Sequence, residues 1–386
     1  MTRRIDQGGV KNDREKLRSD SLNLLRFPLA VAVVLVHVFA QKDALPNDAE
    51  TPRLFLEVSY FVDGFLRFQN VPIYFFISGY VFFLGITLTK EKYQQKLKNR
   101  TKTLLIPYLI WNTASILLVL AHFLPFLQSV SPYRDLFKLD FSLPAILYSY
   151  WDDTKGICTP IEAWDTPNFG ICPANHPLWF LRDLMIVALT TPAINWLLKR
   201  TRNYLVWALG IAWFVLSYFE VGHLSQLSRA YFFFVWGAYM SLHQKDMLAD
   251  FGRFARLSSI AYVTLGLLYV ASMHADMPIV SSTIKQLNIM AGLLFAYNMA
   301  AWLLRHRVCR PNPLLASASF FIYVAHPLLC SPLRTILIHY IGSSTSLGLL
   351  AIHTATAVLT ISLLLLLFWL MRQYTPSVLK VIAGRK

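Results

Sequence analysis

The residues best placed to do chemistry are an arginine and a histidine in the first apolar segment, RFPLAVAVVLVH. Arg26 and His37 are eleven residues apart, about three turns plus 20° of an α-helix, so both project from one face. They would lie about 16 Å apart along the axis, with Ala30 and Val33 between them, small enough to leave a groove. A guanidinium can hold an anion, and an imidazole can accept a proton near neutral pH. The pair therefore predicts an anion-binding end and a basic end on one helix.

Each member of this pair also has a structural interpretation. Arg26 lies near the end of its segment and could snorkel to the lipid headgroups. His37 could be an interfacial or hydrogen-bonded structural histidine. Because an ionisable side chain inside a membrane helix costs at least about 2.5 kcal/mol, its default interpretation is functional. Their shared face favours the functional interpretation for both residues.

Other polar residues in apolar segments are weaker candidates for lining a polar cavity. Arg182 and Asp183, in HPLWFLRDLM, carry opposite charges, which indicates either mutual pairing or cavity lining. His326, in FFIYVAHPLL, is more typical of a packed histidine than of a catalytic one. Ser78 and Gly79, in VPIYFFISGYVFF, are more typical of close helix packing.

The elements that must position these residues are apolar blocks long enough to cross a bilayer. The chain has 386 residues, of which 55% are hydrophobic and 15% charged, against about 25% charged in soluble domains. Pro327 and Pro332 favour a kink or break in the ninth block. We therefore predict an all-α, polytopic membrane protein of about ten transmembrane helices, at 22–41, 70–89, 104–124, 177–198, 204–219, 230–243, 258–274, 286–304, 314–338 and 347–371.

The distribution of charge predicts the orientation of these helices. If residue 1 is cytoplasmic, the inside segments carry 25 Lys and Arg and the outside segments 8, as the positive-inside rule requires. Both termini are therefore expected in the cytoplasm, and the net charge of +15 does not indicate nucleic acid. We expect no cleavable signal peptide, because residues 1–20 are polar and the first apolar block follows without a small-residue cleavage site.

This organisation predicts one membrane domain over 22–371, between a cytoplasmic segment at 1–21 and a cytoplasmic tail at 372–386. The extracytoplasmic loop 125–176 is the one sizeable soluble piece expected. Its Cys158 and Cys172 could form a disulfide in an oxidising space or remain unpaired. Cys309 falls on the inside and Cys330 in a span, and the sequence has no metal-ligand spacing.

Five short motifs follow one another along the chain. They are the Arg26 and His37 pair, Phe75 to Tyr80, Arg100 with Pro107 and Tyr108, Leu178 to Leu181, and Ile322, Tyr323 and His326. Together they resemble acyltransferase family 3, the bacterial membrane O-acyltransferases that modify cell-surface sugars. Asn23 and Phe27 depart from the family's frequent Asp and Gly, so a carboxylate is missing at the first of these positions. The chain resembles the stand-alone branch, similar to the O-acetyltransferase of enterobacterial common antigen, and no fused extracytoplasmic domain is expected.

The resemblance implies transfer of an acyl group, most often acetyl, from cytoplasmic acyl-coenzyme A to a hydroxyl of a cell-surface glycan or its lipid-linked precursor. It implies that the family depends on the helix 1 arginine and histidine, here Arg26 and His37. The basic stretch 90–102, with Lys98, Arg100 and Lys102, could receive the coenzyme A phosphates while Arg26 guides the arm to His37. His37 would then deprotonate the hydroxyl or accept the acyl group covalently.

The expected location is the bacterial cytoplasmic (inner) membrane, with the bilayer, the saccharide acceptor and polysaccharide-synthesis proteins as expected partners. The principal alternative is a transporter or flippase for a glycan or small solute, which buried Arg, Asp and His would also serve. A non-catalytic subunit of a polysaccharide-synthesis complex is a third possibility.

Overall fold

The computed structural model describes residues 2–39, 52–121, 123–124, 137–160, 171–219, 222–275, 277–342 and 345–384. These residues form helices, apart from a two-stranded antiparallel ribbon that pairs Phe137 with Pro160. The helices are α1 (Thr2–Val38), α2 (Arg53–Val62), α3 (Asn70–Phe83), α4 (Lys90–Arg100), α5 (Ile106–Ala121), α6 (Leu143–Tyr148), α7 (Trp179–Leu189), α8 (Thr191–Thr201), α9 (Tyr204–Leu216), α10 (His223–Leu242), α11 (Met247–Gly252), α12 (Ala255–His274), α13 (Pro278–Arg305), α14 (Pro313–Ile341), α15 (Ser346–Tyr374) and α16 (Pro376–Ile382), and the strands are β1 (Phe137–Leu139) and β2 (Cys158–Pro160).

The apolar blocks of the sequence are helical, which confirms the all-α, polytopic membrane fold. Within the described ranges, six helices are long and apolar enough to cross a membrane, or seven if a bent pair is one span. That pair, His176–Leu189 and Thr191–Thr201, is bent by 63° where Pro192 begins α8. Each of the ten predicted spans overlaps a helix, but α3, α9 and α10 are not among the helices that are both long and apolar enough to cross a membrane. The number of crossings and the side of the termini stay predictions.

Two connections between helices depart from regular α-helical geometry. Between α2 and α3, residues Asp63–Arg67 form a π-helical turn, and Thr101–Leu105 form another between α4 and α5. Helix α14 is continuous through Pro327 and Pro332, so the predicted break is absent from this described helix. A proline removes one backbone donor, and the surrounding packing tolerates that loss here.

The chain divides into two compact units. The first comprises Met1–Ile86, Phe233–Ser319 and Leu337–Val358. In this unit α1 packs on α13, and α13 packs along α12. The carbonyl of Gly64, in the first π-turn, accepts the side-chain amide of Asn288 on α13 at 2.7 Å. A π-turn frees a carbonyl from the helical ladder, and a buried carbonyl must find another donor, which explains this contact.

The second unit comprises Thr87–Phe232, Phe320–Ile336 and Leu359–Lys386. Here α16 packs on α5, and the indole of Trp111 donates to the Ile382 carbonyl at 2.9 Å. Part of the predicted soluble loop also packs on α5. The Tyr108 hydroxyl donates to the Tyr150 carbonyl, and the backbone N–H of Asn175 donates to the Asn112 side chain at 2.9 Å. The part of the loop that includes Tyr150 and Asn175 therefore lies against α5.

Candidate functional site

Arg26 opens into a large basic pocket in the first unit. The pocket has a volume of about 1020 Å³ and lies between α1, the end of α13 and the start of α14. Its lining includes three further arginines, which come from the last residue of α13 and from the segment that joins α13 to α14. The joining segment is among those predicted to be cytoplasmic, and Arg26 is predicted to lie near the cytoplasmic mouth of its span. The charged lining residues are Asp13, Lys16, Asp20, Arg26, Arg305, Arg307 and Arg310.

The pocket carries a net positive charge. Five basic side chains against two carboxylates leave a formal charge of +3. Asn23, the position where family members often have Asp, also lines the pocket, so the amide at this site removes one negative charge from it. Four arginines that converge on one pocket can hold phosphate groups by charge-assisted and bidentate hydrogen bonds. The arrangement therefore suits a polyanion.

The imidazole of His37 lies on the same helix, eleven residues further along. Its Nδ1 is 2.8 Å from the Val33 carbonyl oxygen. Because a carbonyl can only accept, Nδ1 must carry a proton, and in the neutral ring the lone pair is then on Nε2. His37 is half-buried, whereas the other helix histidines with the same Nδ1 contact, His326 and His353, are fully buried. Of these three rings, His37 is the one that is partly exposed.

The helix face between Arg26 and His37 is packed. Ala30 is fully buried and Val33 nearly so, and His37 is not among the residues that line the basic pocket. A passage from the pocket to the imidazole therefore needs the helices over Ala30 and Val33 to separate. That α1 guides an extended arm between the two residues stays a prediction.

Helix α3 fixes α1 next to the pocket. The hydroxyl of Tyr74 donates to the backbone carbonyl of Arg26 at 2.9 Å. Helix α3 in turn crosses the Phe233–Leu242 part of α10 at glycines. A Cβ built on Gly79 would lie 1.9 Å from the Phe234 carbonyl oxygen, and one on Gly237 would lie 2.0 Å from that of Phe76. The close-packing interpretation is therefore confirmed for Gly79, while Ser78 beside it is half-buried.

Arg182 and Asp183 form the centre of a buried polar cluster in the second unit. Arg182 is 3% exposed and Asp183 is 0% exposed. The Arg182 Nε donates to Asp183 Oδ1 at 2.9 Å, and the His223 Nε2 is 2.9 Å from the same oxygen. The guanidinium also donates to the Trp151 carbonyl at 2.7 Å and to the Ile171 carbonyl at 2.9 Å. The pairing interpretation of these two charges is therefore confirmed, and the arginine holds both ends of the 151–171 stretch.

The predicted coenzyme-binding residues belong to different units. Lys98 and Lys102 are exposed and Arg100 is half-buried, on α4 and the turn that follows it. All three belong to the second unit, whereas Arg26 belongs to the first. They are not among the residues that line the basic pocket, so their role as phosphate ligands stays a prediction. His326, also in the second unit, is enclosed, with Nδ1 2.8 Å from the Tyr323 carbonyl.

Sequence reasoning missed two groups of residues. Arg305, Arg307 and Arg310 were counted as topology charges, and nothing in their spacing connects them to Arg26. His353, in α15, is fully buried and its ring centroid lies 4.6 Å from that of Phe55. The position of His353 inside the last apolar block was the available signal, because an ionisable residue within a membrane segment is a candidate functional residue by default.

The cysteines of the outer loop are free thiols. Burial raises the pKa of Cys158 to about 11, with the Asp153 carboxylate adding to the effect. Burial likewise raises the pKa of Cys172 to about 12. Since the thiolate is the species that reacts, both side chains are poor nucleophiles at neutral pH.

One known protein is similar to this chain along most of its length. The chain is 26% identical over 380 residues to the succinoglycan biosynthesis protein ExoH of Rhizobium meliloti (strain 1021), and the alignment covers 95% of this chain and 92% of the relative. No solved structure matches the chain. The profile described as "Acyltransferase domain" matches residues 19–372, which include Arg26, His37 and every predicted span. The chain belongs to acyltransferase family 3 and is a multi-pass membrane acyltransferase.

Proposed function

We propose that the protein transfers an acyl group, most simply acetyl, from cytoplasmic acyl-coenzyme A to a hydroxyl of a cell-surface polysaccharide or its lipid-linked precursor. The observation that carries this proposal is the basic pocket at Arg26. The 3′-phosphate and diphosphate of coenzyme A carry about four negative charges. A pocket of about 1020 Å³ with a formal charge of +3 offers the complementary charge and room for the nucleotide end.

The polysaccharide acceptor is proposed from the relative, whose name assigns it to succinoglycan biosynthesis. Together with the membrane fold, this supports a location in the bacterial inner membrane, alongside proteins of polysaccharide synthesis. The excess of basic residues around the pocket supports a donor that arrives from the cytoplasm.

His37 is the proposed general base. Its Nε2 takes the proton of the sugar hydroxyl while the oxygen attacks the thioester carbonyl. The tetrahedral intermediate then collapses, the carbon–sulfur bond breaks, and the proton on Nε2 passes to the departing sulfur, which restores the neutral ring. The Val33 carbonyl, 2.8 Å from Nδ1, orients the ring and stabilises the imidazolium that forms. Acyl transfer through His37 itself would use the same Nε2 as nucleophile.

Acyl transfer is tested with purified full-length protein in nanodiscs, radiolabelled acetyl-coenzyme A and polysaccharide from the host. We expect His37→Ala to lower the rate at least about a hundredfold, the low end of a general base's contribution. His339→Ala is the matched control, since this exposed histidine lies in the last turn of α14 and is not among the residues that line the basic pocket. An unchanged rate in folded His37→Ala protein refutes the base. Label that stays on the wild-type protein after denaturation, and is absent from His37→Ala, identifies the covalent route.

Donor binding is tested separately, because Cys309 lines the pocket and serves as a native reporter. Maleimide modification of Cys309, followed by peptide mass spectrometry, should slow when acetyl-coenzyme A is bound and slow less with acetyl-dephospho-coenzyme A. The modification rate of Cys309 without ligand provides the reference. Arg305→Ala and Arg310→Ala should weaken the protection, and His37→Ala should retain it. Protection by neither ligand contradicts the pocket assignment.

The transporter alternative makes a different prediction for the same nanodisc or vesicle preparation. Movement of a glycan across vesicle membranes without any acyl donor, together with no acyl transfer when the donor is present, would favour it over the enzyme.

A further inference from the structure

A short segment of the outer loop exposes a set of large apolar side chains. Phe141 is 61% exposed, Leu143 68% and Leu147 63%. Ile146, Tyr148 and Trp151 are exposed as well. Apolar surface this dense, on one eleven-residue stretch, is unusual for a loop in water and marks an interaction surface. We call the stretch Phe141–Trp151 the 141–151 segment.

The depth at which this segment is held follows from its contacts with α5. The Tyr108 hydroxyl donates to the Tyr150 carbonyl, and the hydroxyls of Thr113 and Tyr150 are 2.7 Å apart. Thr113 lies eight residues before Ala121, where α5 ends, which is about 12 Å along the helix axis. Leu104, near the start of the same apolar block, lies about 14 Å away in the other direction. Tyr150 is therefore held near the middle of a membrane-spanning helix.

Further contacts prevent the segment from lifting away from this depth. The buried guanidinium of Arg182 holds the Trp151 carbonyl and stacks on the indole, with its carbon 4.8 Å from the ring centroid. On the far side of the loop, the Asn175 side chain donates to the Val324 carbonyl on α14 at 3.1 Å. Both ends of the stretch that follows the segment are thus tied to residues inside the second unit.

The backbone of the segment also satisfies the requirement that lipid imposes. Non-helical backbone at membrane depth must have hydrogen-bond partners within the protein. The N–H of Ser149 donates to the Ala145 carbonyl at 3.0 Å, and the N–H of Asp152 donates to Tyr148 at 2.7 Å. The Ser149 hydroxyl accepts the N–H of Ile157 at 2.8 Å. These bonds close the turn that follows α6 without solvent.

We propose that the 141–151 segment is re-entrant and that its exposed apolar face contacts the acyl chains of the extracytoplasmic leaflet. The occupant is lipid, because the anchoring hydroxyls place the segment beside the apolar middle of α5, where acyl chains are the surrounding medium. The charged side chain of Lys155, 64% exposed, lies on the same loop, and its Nζ is 5.6 Å from the Tyr148 ring centroid. It can reach the headgroups as a snorkelling lysine does.

The proposal is tested by nitroxide accessibility in nanodiscs. A spin label is placed at Leu147→Cys, and separately at Leu143→Cys, in full-length protein whose native cysteines are replaced. Lys155→Cys is the matched control on the same loop. We expect the Leu147 label to collide at least about tenfold more often with oxygen, relative to a water-soluble nickel complex, than the Lys155 label does. Equal nickel accessibility at Leu147 and Lys155 overturns the proposal.

A second measurement needs no cysteine replacement. Leu147→Asp in the native background should lower the thermal midpoint in nanodiscs by roughly 3 °C or more, because a carboxylate in hydrocarbon is costly. Lys155→Gln, which adds no carboxylate beside Asp152, should leave the midpoint unchanged. A surface loop in water would tolerate both substitutions alike, and that result would also overturn the proposal.

Discussion

The crossing of α3 and α10 allows a stability effect to be worked out from the structure. In Gly79→Ala, the new methyl group would lie 1.9 Å from the Phe234 carbonyl oxygen, where Cβ contacts do not fall below 3.0 Å. The two helices must therefore separate by about 1.1 Å. The obstacle is backbone, which cannot rotate away, so we expect a cost near the upper end of the 1–3 kcal/mol that overpacking typically gives, about 3 kcal/mol.

A cost of about 3 kcal/mol corresponds to a fall in the thermal midpoint of roughly 6–12 °C for a unit of some 200 residues. The assay is thermal unfolding of the purified protein in detergent, followed by tryptophan fluorescence. Gly252→Ala is the matched control, because a Cβ at Gly252 would meet nothing within 4 Å. A midpoint for Gly79→Ala within about a degree of that control would refute the packing argument.

The partner glycine gives a second check on the same reasoning. Gly237→Ala alone should cost about as much as Gly79→Ala, because its Cβ would lie 2.0 Å from the Phe76 carbonyl oxygen. The double variant should cost clearly less than the sum of the two, since helices already forced apart accept the second methyl group easily. Strict additivity would show that the two glycines do not share one crossing.

Three further outcomes are expected. Arg182→Ala should destabilise the protein by about 3–5 kcal/mol in chemical or thermal unfolding, because it leaves the Asp183 carboxylate buried without its arginine partner. The double variant Arg182→Ala, Asp183→Ala should be less destabilised than Arg182→Ala alone. Tyr74→Phe should cost about 1 kcal/mol of unfolding free energy through the lost bond to the α1 backbone, and weaken donor protection of the pocket cysteine. Ala30→Val should lower the acyl-transfer rate more than Ala32→Val, which adds the same group to another face of α1; equal rates would show that donor delivery does not pass Ala30.

Local features of the chain were predictable because they depend on short-range geometry. The apolar blocks, the placement of Arg26 and His37 on one helix, and the pairing of adjacent Arg182 and Asp183 all follow from composition and helical period. The close packing at Gly79 was also accessible, since a small residue among bulky aromatics indicates a helix crossing.

The basic pocket was not predictable, because it depends on contacts between distant parts of the chain. Arg26 and Arg305 are joined through the packing of α1 on α13, and hydrophobic period carries no information about which helices become neighbours. The same limit applies to Tyr150, whose position in an aromatic, acidic loop suggested water, while its hydrogen bonds place it on α5. Hydrogen bonds between distant parts of the chain therefore fix positions that the neighbouring sequence does not predict.

The π-turn at Asp63–Arg67 has a consequence for comparing relatives. A π-turn fits one extra residue into a helix, so the residues before it are rotated by about 100° relative to a regular helix that reaches α3. A relative with one residue fewer here and a regular helix would present the same sides of α2 and α3 to their neighbours. An alignment that places no gap at this turn will match exposed positions of α2 in one protein with buried positions in another.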